Sequence, residues 1–138
     1  MDKLNRIIAL DIGDKRIGVA FSDPFGLFVS QTALILRNTD KAALDEIENY
    51  CKTYNVQKIL VGVPYNMDGT LGFQAKKNLD FISPLKGKYE MIYWDERLTS
   101  FQAEEILKKQ KVKYTKNKGL VDIKSACIIL EDYLGEQK

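Results

Sequence analysis

The chain begins with short, dense apolar runs and then changes period. Ile7-Ile8-Ala9-Leu10 is closed by Asp11. After the polar turn Gly13-Asp14-Lys15, a second run from Ile17 to Phe21 leads back. Asp23-Pro24-Phe25-Gly26 has proline second and glycine fourth, the arrangement of a type I turn. Phe28 to Leu36 then reads as a third strand, and three strands joined by short turns predict an antiparallel meander. Beyond it Ala43, Leu44, Ile47, Tyr50, Cys51 and Tyr54 recur at steps of three and four, which predicts an amphipathic helix over 40–54 with Asp40 as its cap. Lys58 to Pro64 is apolar almost throughout, the signature of a strand covered on both faces. A loop over 65–72 carries Asn66-Met67-Asp68-Gly69. A helix follows with Ala75, Leu79 and Ile82 inward, ending near Pro84.

Tyr89 to Trp94 is a fifth strand, running into Asp95-Glu96-Arg97. Thr99 or Ser100 caps a third helix with Ala103, Ile106 and Leu107 inward. A lysine-rich connector leads to a last helix, Leu120 to Leu134, with Ile123, Ala126, Cys127, Leu130, Tyr133 and Leu134 on one stripe. Strands linked through helices are parallel, with right-handed crossovers. A meander followed by such units predicts an α/β fold, one mixed sheet with helices on both faces.

Composition narrows the chemistry. A length of 138 residues fits one domain spanning 1–138, and 45% apolar residues is ordinary for a globular chain. The opening Met1-Asp2-Lys3-Leu4-Asn5-Arg6 does not suit a signal peptide, and no apolar run is long enough to span a bilayer, so a cytoplasmic protein with no membrane partner is expected. Cys51 and Cys127 read as free thiols on buried helix faces. There is no histidine, which removes Ser-His and Cys-His nucleophile schemes and His-ligated zinc. Carboxylates, lysines, hydroxyls or a hard metal held by oxygen remain.

Charge is unevenly placed. Lys108 to Lys124 holds seven lysines against Asp122 alone, a net +6 in a chain whose total is +2. A basic segment on a mildly acidic body suggests a polyanionic partner; a solvated loop is the plainer alternative.

Three acids stand at element ends. Asp11 ends strand one, Glu96 ends strand five, and Asp122 falls in the first turn of the last helix. Alternation puts Trp94 and Glu96 on one face of strand five and Asp95 on the other. Each acid has a plain structural role open to it. Asp11 could bond its turn, Glu96 could pair with Arg97 or Lys15, and Asp122 could favour the helix dipole. If the sheet brings these ends together, those roles do not account for all three facing one patch. Clustered carboxylates raise one another's pKa unless a cation neutralises them. An all-oxygen set points to Mg²⁺ or Mn²⁺. Two such ions about 4 Å apart can activate a water and stabilise the leaving oxygen in phosphodiester hydrolysis. Asp11, Glu96 and Asp122 are therefore the candidate metal ligands and catalytic residues. Lys15, Arg16 and Arg97 flank them and could hold phosphate oxygens, Arg97 bidentately. Lys113, Lys116 and Lys118 in the connector could track a nucleic-acid backbone, with Tyr114 either stacking on a base or anchoring the loop.

Four ordered blocks carry a resemblance. Ala9-Leu10-Asp11-Ile12-Gly13 with Lys15-Arg16-Ile17-Gly18-Val19-Ala20 resembles the opening motif of the YqgF (RuvX) family. Val61-Gly62-Val63-Pro64 with Asn66-Met67-Asp68-Gly69 resembles its second block, Asp95-Glu96-Arg97-Leu98-Thr99-Ser100 its third, and Val121-Asp122 with Ala126 and Ile128-Ile129-Leu130 its closing helix. The resemblance covers nearly the whole chain. It implies an RNase H-like fold with strand order 3-2-1-4-5 and a small bacterial cytoplasmic nuclease; monomer and homodimer both stay open. The substrate it implies is the 5′ end of pre-16S rRNA, or branched DNA as a Holliday junction resolvase. By motif, Asp11, Glu96 and Asp122 carry the active site.

Two features depart from the pattern. Lys124-Ser125 stands where a smaller or more apolar pair is usual. In RNase H-like enzymes generally a second acid comes from the strand beside strand one, and here that strand ends Gly62-Val63-Pro64. Glu96 must reach from one strand further, about 5 Å more distant, with Asn66 or a water to fill the gap. Two readings from other classes stay open: nucleotide binding, since Asp11-Ile12-Gly13 also resembles the first phosphate motif of the actin and sugar-kinase superfamily, and a non-catalytic RNA-binding assembly factor.

Overall fold

The meander and the two parallel crossovers share one sheet. A computed structural model describes residues 4–96 and 118–137. Arg97, Lys113, Lys116, Tyr114 and the helix expected after Thr99 or Ser100 lie outside the described residues. The elements are β1 (Ile7–Ile12), β2 (Arg16–Ser22), β3 (Val29–Leu36), α1 (Asp40–Thr53), β4 (Lys58–Val63), α2 (Phe73–Ile82), a 3-10 turn (Ser83–Leu85), β5 (Glu90–Asp95) and α3 (Lys118–Glu136). The strand order is β3-β2-β1-β4-β5, as expected. β1 and β3 both pair antiparallel with β2, while β4 runs parallel to both β1 and β5. Among the described residues no helix is long and apolar enough to cross a membrane.

Strand alternation divides the core in two. Ile8, Leu10 and Ile12 of β1 join Ile17, Val19, Phe21, Ile59 and Val61 on one face, packed against Ala43, Ile47 and Cys51 of α1 and Phe81 and Ile82 of α2. Ile7 and Ala9 join Ala20 and Leu60 on the other, beneath Ala126, Ile129, Leu130 and Leu134 of α3. Trp94 meets Tyr133 edge-on there, ring centroids 5.9 Å apart. Cys51 is buried and Cys127 half-buried, both as free thiols. Burial pushes the Cys51 thiol up to about 12.

Three local details differ from the sequence reading. The cap of α1 is Thr39, whose hydroxyl accepts from Ala42 N at 3.1 Å, and Asp40 instead pairs with Arg37 at 2.8 Å. α2 buries Ala75, Asn78, Phe81 and Ile82, leaving Leu79 half-buried. The buried polar position has a reason: Asn78 Nδ2 donates to the Ile12 carbonyl at 3.2 Å, satisfying the end of β1. α3 begins no later than Lys118, so Asp122 is at least the fifth residue of its helix and not in the first turn.

The β2–β3 connection is organised by Asp23. Gly26 N closes the expected turn on the Asp23 carbonyl at 3.1 Å. The carboxylate collects Leu27 N at 2.6 Å and Phe28 N at 2.8 Å on Oδ1, and Phe25 N at 3.1 Å on Oδ2. Gly26 is left-handed, with φ +72°, and a Cβ there would meet the Asn5 carbonyl at 2.7 Å.

Burial acts to raise the pKa of Asp23, and the backbone donors outweigh it, so the carboxyl sits below the ordinary carboxylate range. Its contribution to stability is therefore full above the unfolded carboxylate value and is lost as pH falls through the lower folded value. Asp23→Ala is expected to destabilise the protein by about 1.5–3 kcal/mol near neutral pH and by progressively less as the pH falls through that window. Urea unfolding of the two proteins across the acid range checks this.

Candidate active site

The C-terminal ends of the parallel strands β1, β4 and β5 lie side by side, and α3 crosses the face onto which Asp11 projects. Asp11 is the next-to-last residue of β1, opposite Gly18 of β2. The turn after it is bonded by other groups: Gly13 N donates to the Arg16 carbonyl at 2.8 Å and Arg37 Nη1 to the Gly13 carbonyl at 2.6 Å. Asp11 is engaged with Glu96, Asp122 and Ser125 instead.

Glu96 follows β5 directly, its N–H donating to the Val63 carbonyl at 3.0 Å. Its side chain is 7% exposed and passes over Gly62. A Cβ on Gly62 would fall 2.5 Å from Glu96 Oε1 and 2.7 Å from Ile129 Cδ1. The missing side chain on β4 is thus the passage by which an acid from β5 reaches one on β1. Glu96 hydrogen-bonds Asp11, closing the gap that the sequence left for Asn66 or a water. Asn66 is held in its own loop, donating from Nδ2 to Thr70 Oγ1 at 3.0 Å. Lys15 is exposed, and no described cation pairs with Glu96.

Glu96 is pushed up to about 10, chiefly by burial, with the hydrogen bond to Asp11 and the charges of Asp11, Asp122 and Asp95 contributing the rest. The upward push favours a proton shared between Glu96 and Asp11. Burial also raises Asp11, the Glu96 and Ser125 hydrogen bonds lower it, and the charge of Asp122 raises it again. Glu96 Oε1 remains buried with no hydrogen-bond partner.

Asp122 comes from α3. Its backbone lies directly against Gly18, whose missing Cβ lets the helix sit on β2. Oδ2 accepts from Arg16 Nε at 3.1 Å. Burial raises the Asp122 pKa, and the guanidinium opposes it. A position this far along α3 makes the helix dipole a poor account of the residue. Arg16, expected to hold phosphate, is committed to Asp122. Lys118 is exposed at the described start of α3.

The residue that sequence reading passed over is Ser125, buried beside Asp11. Its signal was available, because three residues after Asp122 lies on the same helix face. Among the described residues, no three His, Cys, Asp or Glu side chains stand ready-made as a metal cage. The described site is an acid–carboxylate pair with a third acid held by arginine.

A neutral buried acid destabilises the fold when it must ionise. The unfolded chain releases the Glu96 proton near 4.5 and the folded chain only near 10. Between those values the folded state binds more protons, so stability falls as pH rises. In buffer free of divalent ions, Glu96→Gln is expected to flatten this slope and to be more stable than the parent at pH 8, read from thermal midpoints. Gly62→Ala is expected to destabilise by about 1–3 kcal/mol and to displace Glu96, restoring an ordinary acid titration that carboxyl-labelled NMR would read.

Residues 5–136 match the family profile described as "RuvX: Holliday junction resolvase". A protein of Halothermothrix orenii named "Putative pre-16S rRNA nuclease" is 42% identical over 134 residues, covering 96% of each chain. One of the same name from Crocosphaera subtropica is 45% identical over 134 residues, covering 95% of this chain and 93% of its own. Among solved structures, the fowlpox virus resolvase in complex with Holliday junction DNA aligns over 96% of this chain and 98% of its own, with TM-score 0.63 and 15% identity. Thermus thermophilus RuvC with a Holliday junction substrate aligns over 95% and 96%, with TM-score 0.53 and 8% identity. At those identities the likeness is one of fold. With the profile spanning residues 5–136 and relatives above 40% identity over nearly the whole chain, the protein belongs to the RuvX family.

Proposed function

We propose that the protein is a divalent-metal-dependent endonuclease that hydrolyses phosphodiester bonds in nucleic acid, with the 5′ end of precursor 16S rRNA as its substrate. The observation that carries this is the Asp11–Glu96 pair, an acid ending β1 met by a buried acid that follows β5 and crosses Gly62, with Asp122 acting on both through its charge. The names of the relatives at 42% and 45% identity support the choice of RNA.

The donors suit a hard divalent cation in kind. All are carboxylate oxygens, and one of them, Glu96 Oε1, is buried and lacks a partner. Asp11, Glu96 and Asp122 would hold Mg²⁺ or Mn²⁺. Such an ion, once bound, acidifies a water and neutralises charge on the leaving oxygen. The chain's own residues set the conditions. Ser125 favours the ionised form of Asp11, and Arg16 fixes Asp122 against β2. Glu96 stores the proton that a cation must expel.

A second reading, cleavage of branched DNA, is favoured by the description of the family. Cutting of a four-way DNA junction without action on a precursor rRNA fragment would select it.

Asp11→Asn is expected to lower Mn²⁺-dependent cleavage at least about 100-fold while leaving RNA binding intact. Cleavage at the parent rate would overturn the assignment. Mn²⁺ is also expected to raise the thermal midpoint of the parent and to release protons on binding. The same titration on Asp11→Asn should give neither signal.

A further inference from the structure

The loop leaving β4 beside the acid pair is exposed from Asn66 to Leu71. Its polar residues bond one another. Asn66 N donates to the Thr70 carbonyl at 2.9 Å and Gly69 N to the Asn66 carbonyl at 2.8 Å. Asp68 Oδ1 accepts from Thr70 N at 3.0 Å and from Thr70 Oγ1 at 2.6 Å. The apolar residues point outward: Met67 is 89% exposed, Leu71 41% and Phe73 80%. An internally bonded loop that displays large apolar groups is shaped for contact.

Phe73 opens α2, and that end of the helix is tied to the turn that follows Asp11. Gln74 Nε2 and Lys77 Nζ both donate to Asp14 Oδ1 at 3.2 Å. Asn78 Nδ2 holds the Ile12 carbonyl at 3.2 Å. Lys77 Nζ also lies 5.3 Å from the Phe73 ring centroid. Lys76, one residue earlier, is exposed. A flat, open ring close to the exposed Lys76, on an element anchored to the turn that follows Asp11, offers a base a stacking surface and its phosphates positive charge.

Resting on the nuclease reading of the acid cluster, we infer that Phe73 stacks on an unpaired base of the nucleic-acid substrate beside the turn that follows Asp11, with Lys76 facing its backbone. Phe73 thereby selects substrates with a free base face at that point, which a continuous duplex does not present.

The test uses the full chain in an Asp11→Asn background, with binding read by fluorescence anisotropy on a labelled single-stranded RNA and on a blunt RNA duplex. Adding Phe73→Ala is expected to weaken single-strand binding about 5- to 100-fold and to leave duplex binding unchanged, while Phe73→Trp restores it. Unchanged single-strand binding, or equal loss on both probes, overturns the stacking role. Either result leaves the nuclease reading standing if Asp11→Asn still abolishes cleavage. Failure of the Asp11→Asn chain to bind either RNA overturns both.

Discussion

The close approach of Asp11 and Glu96 is the interaction around which the active end of this sheet is built. Two carboxyl groups brought together away from water cannot both ionise without a counter-charge. The fold supplies the closeness by omission. Gly62 leaves the middle strand without a side chain, so an acid from β5 crosses β4 to one on β1. Gly18 does the same for α3, whose backbone at Asp122 occupies the space of a side chain on β2. Either glycine replaced by a larger residue would separate groups that the rest of the chain has gathered.

Much of this was legible in the sequence, because period and alternation are local properties. The five strands, their order and the common face of Trp94 and Glu96 follow from apolar patterning, turn residues and the family motifs together. What stayed hidden depends on neighbours distant in sequence. Glu96 looked a strand too far from Asp11 because Gly62 reads as one apolar position among several, and only the assembled sheet shows it as a gap. Nothing local marks Asn78 as buried, because its partner, the Ile12 carbonyl, lies 66 residues away. Thr39 and Asp40 are adjacent possible caps, and the choice between them was made by Arg37, which takes Asp40. Arg16 looked free for phosphate because Asp122 lies 106 residues along the chain.

The same gathering explains how a cluster of acids is tolerated at rest. Asp11 and Glu96 are neutralised in part by their shared proton and Asp122 by Arg16. Each acid has a substitute partner, and neither substitute is strong: Glu96, which shares the proton, keeps an unsatisfied oxygen, and Arg16 holds Asp122 through its Nε at 3.1 Å. On the metal-dependent reading, a divalent ion competes with both at once. Such a site responds to pH through the proton and to ionic conditions through the arginine.

The two faces of the sheet divide the work. Beneath α1 and α2, β1 contributes Ile8, Leu10 and Ile12, all large and apolar, and Phe21 packs on Tyr50 and Tyr54 with centroids 5.4 Å and 4.8 Å away. Local preference and burial agree at every one of those positions. Beneath α3, by contrast, β1 contributes Ile7, Ala9 and then an acid, β2 contributes Gly18 and Ala20, and β4 contributes Leu60 and Gly62. Small residues and buried carboxyls weaken a core, and they concentrate on one side because the other is strong enough to carry the fold. The direction of each strand then decides where the departures fall. β1, β4 and β5 run parallel, so their C-terminal ends coincide. The buried apolar residues of β1 and β4 lock the sheet, and the strand ends are released to hold chemistry.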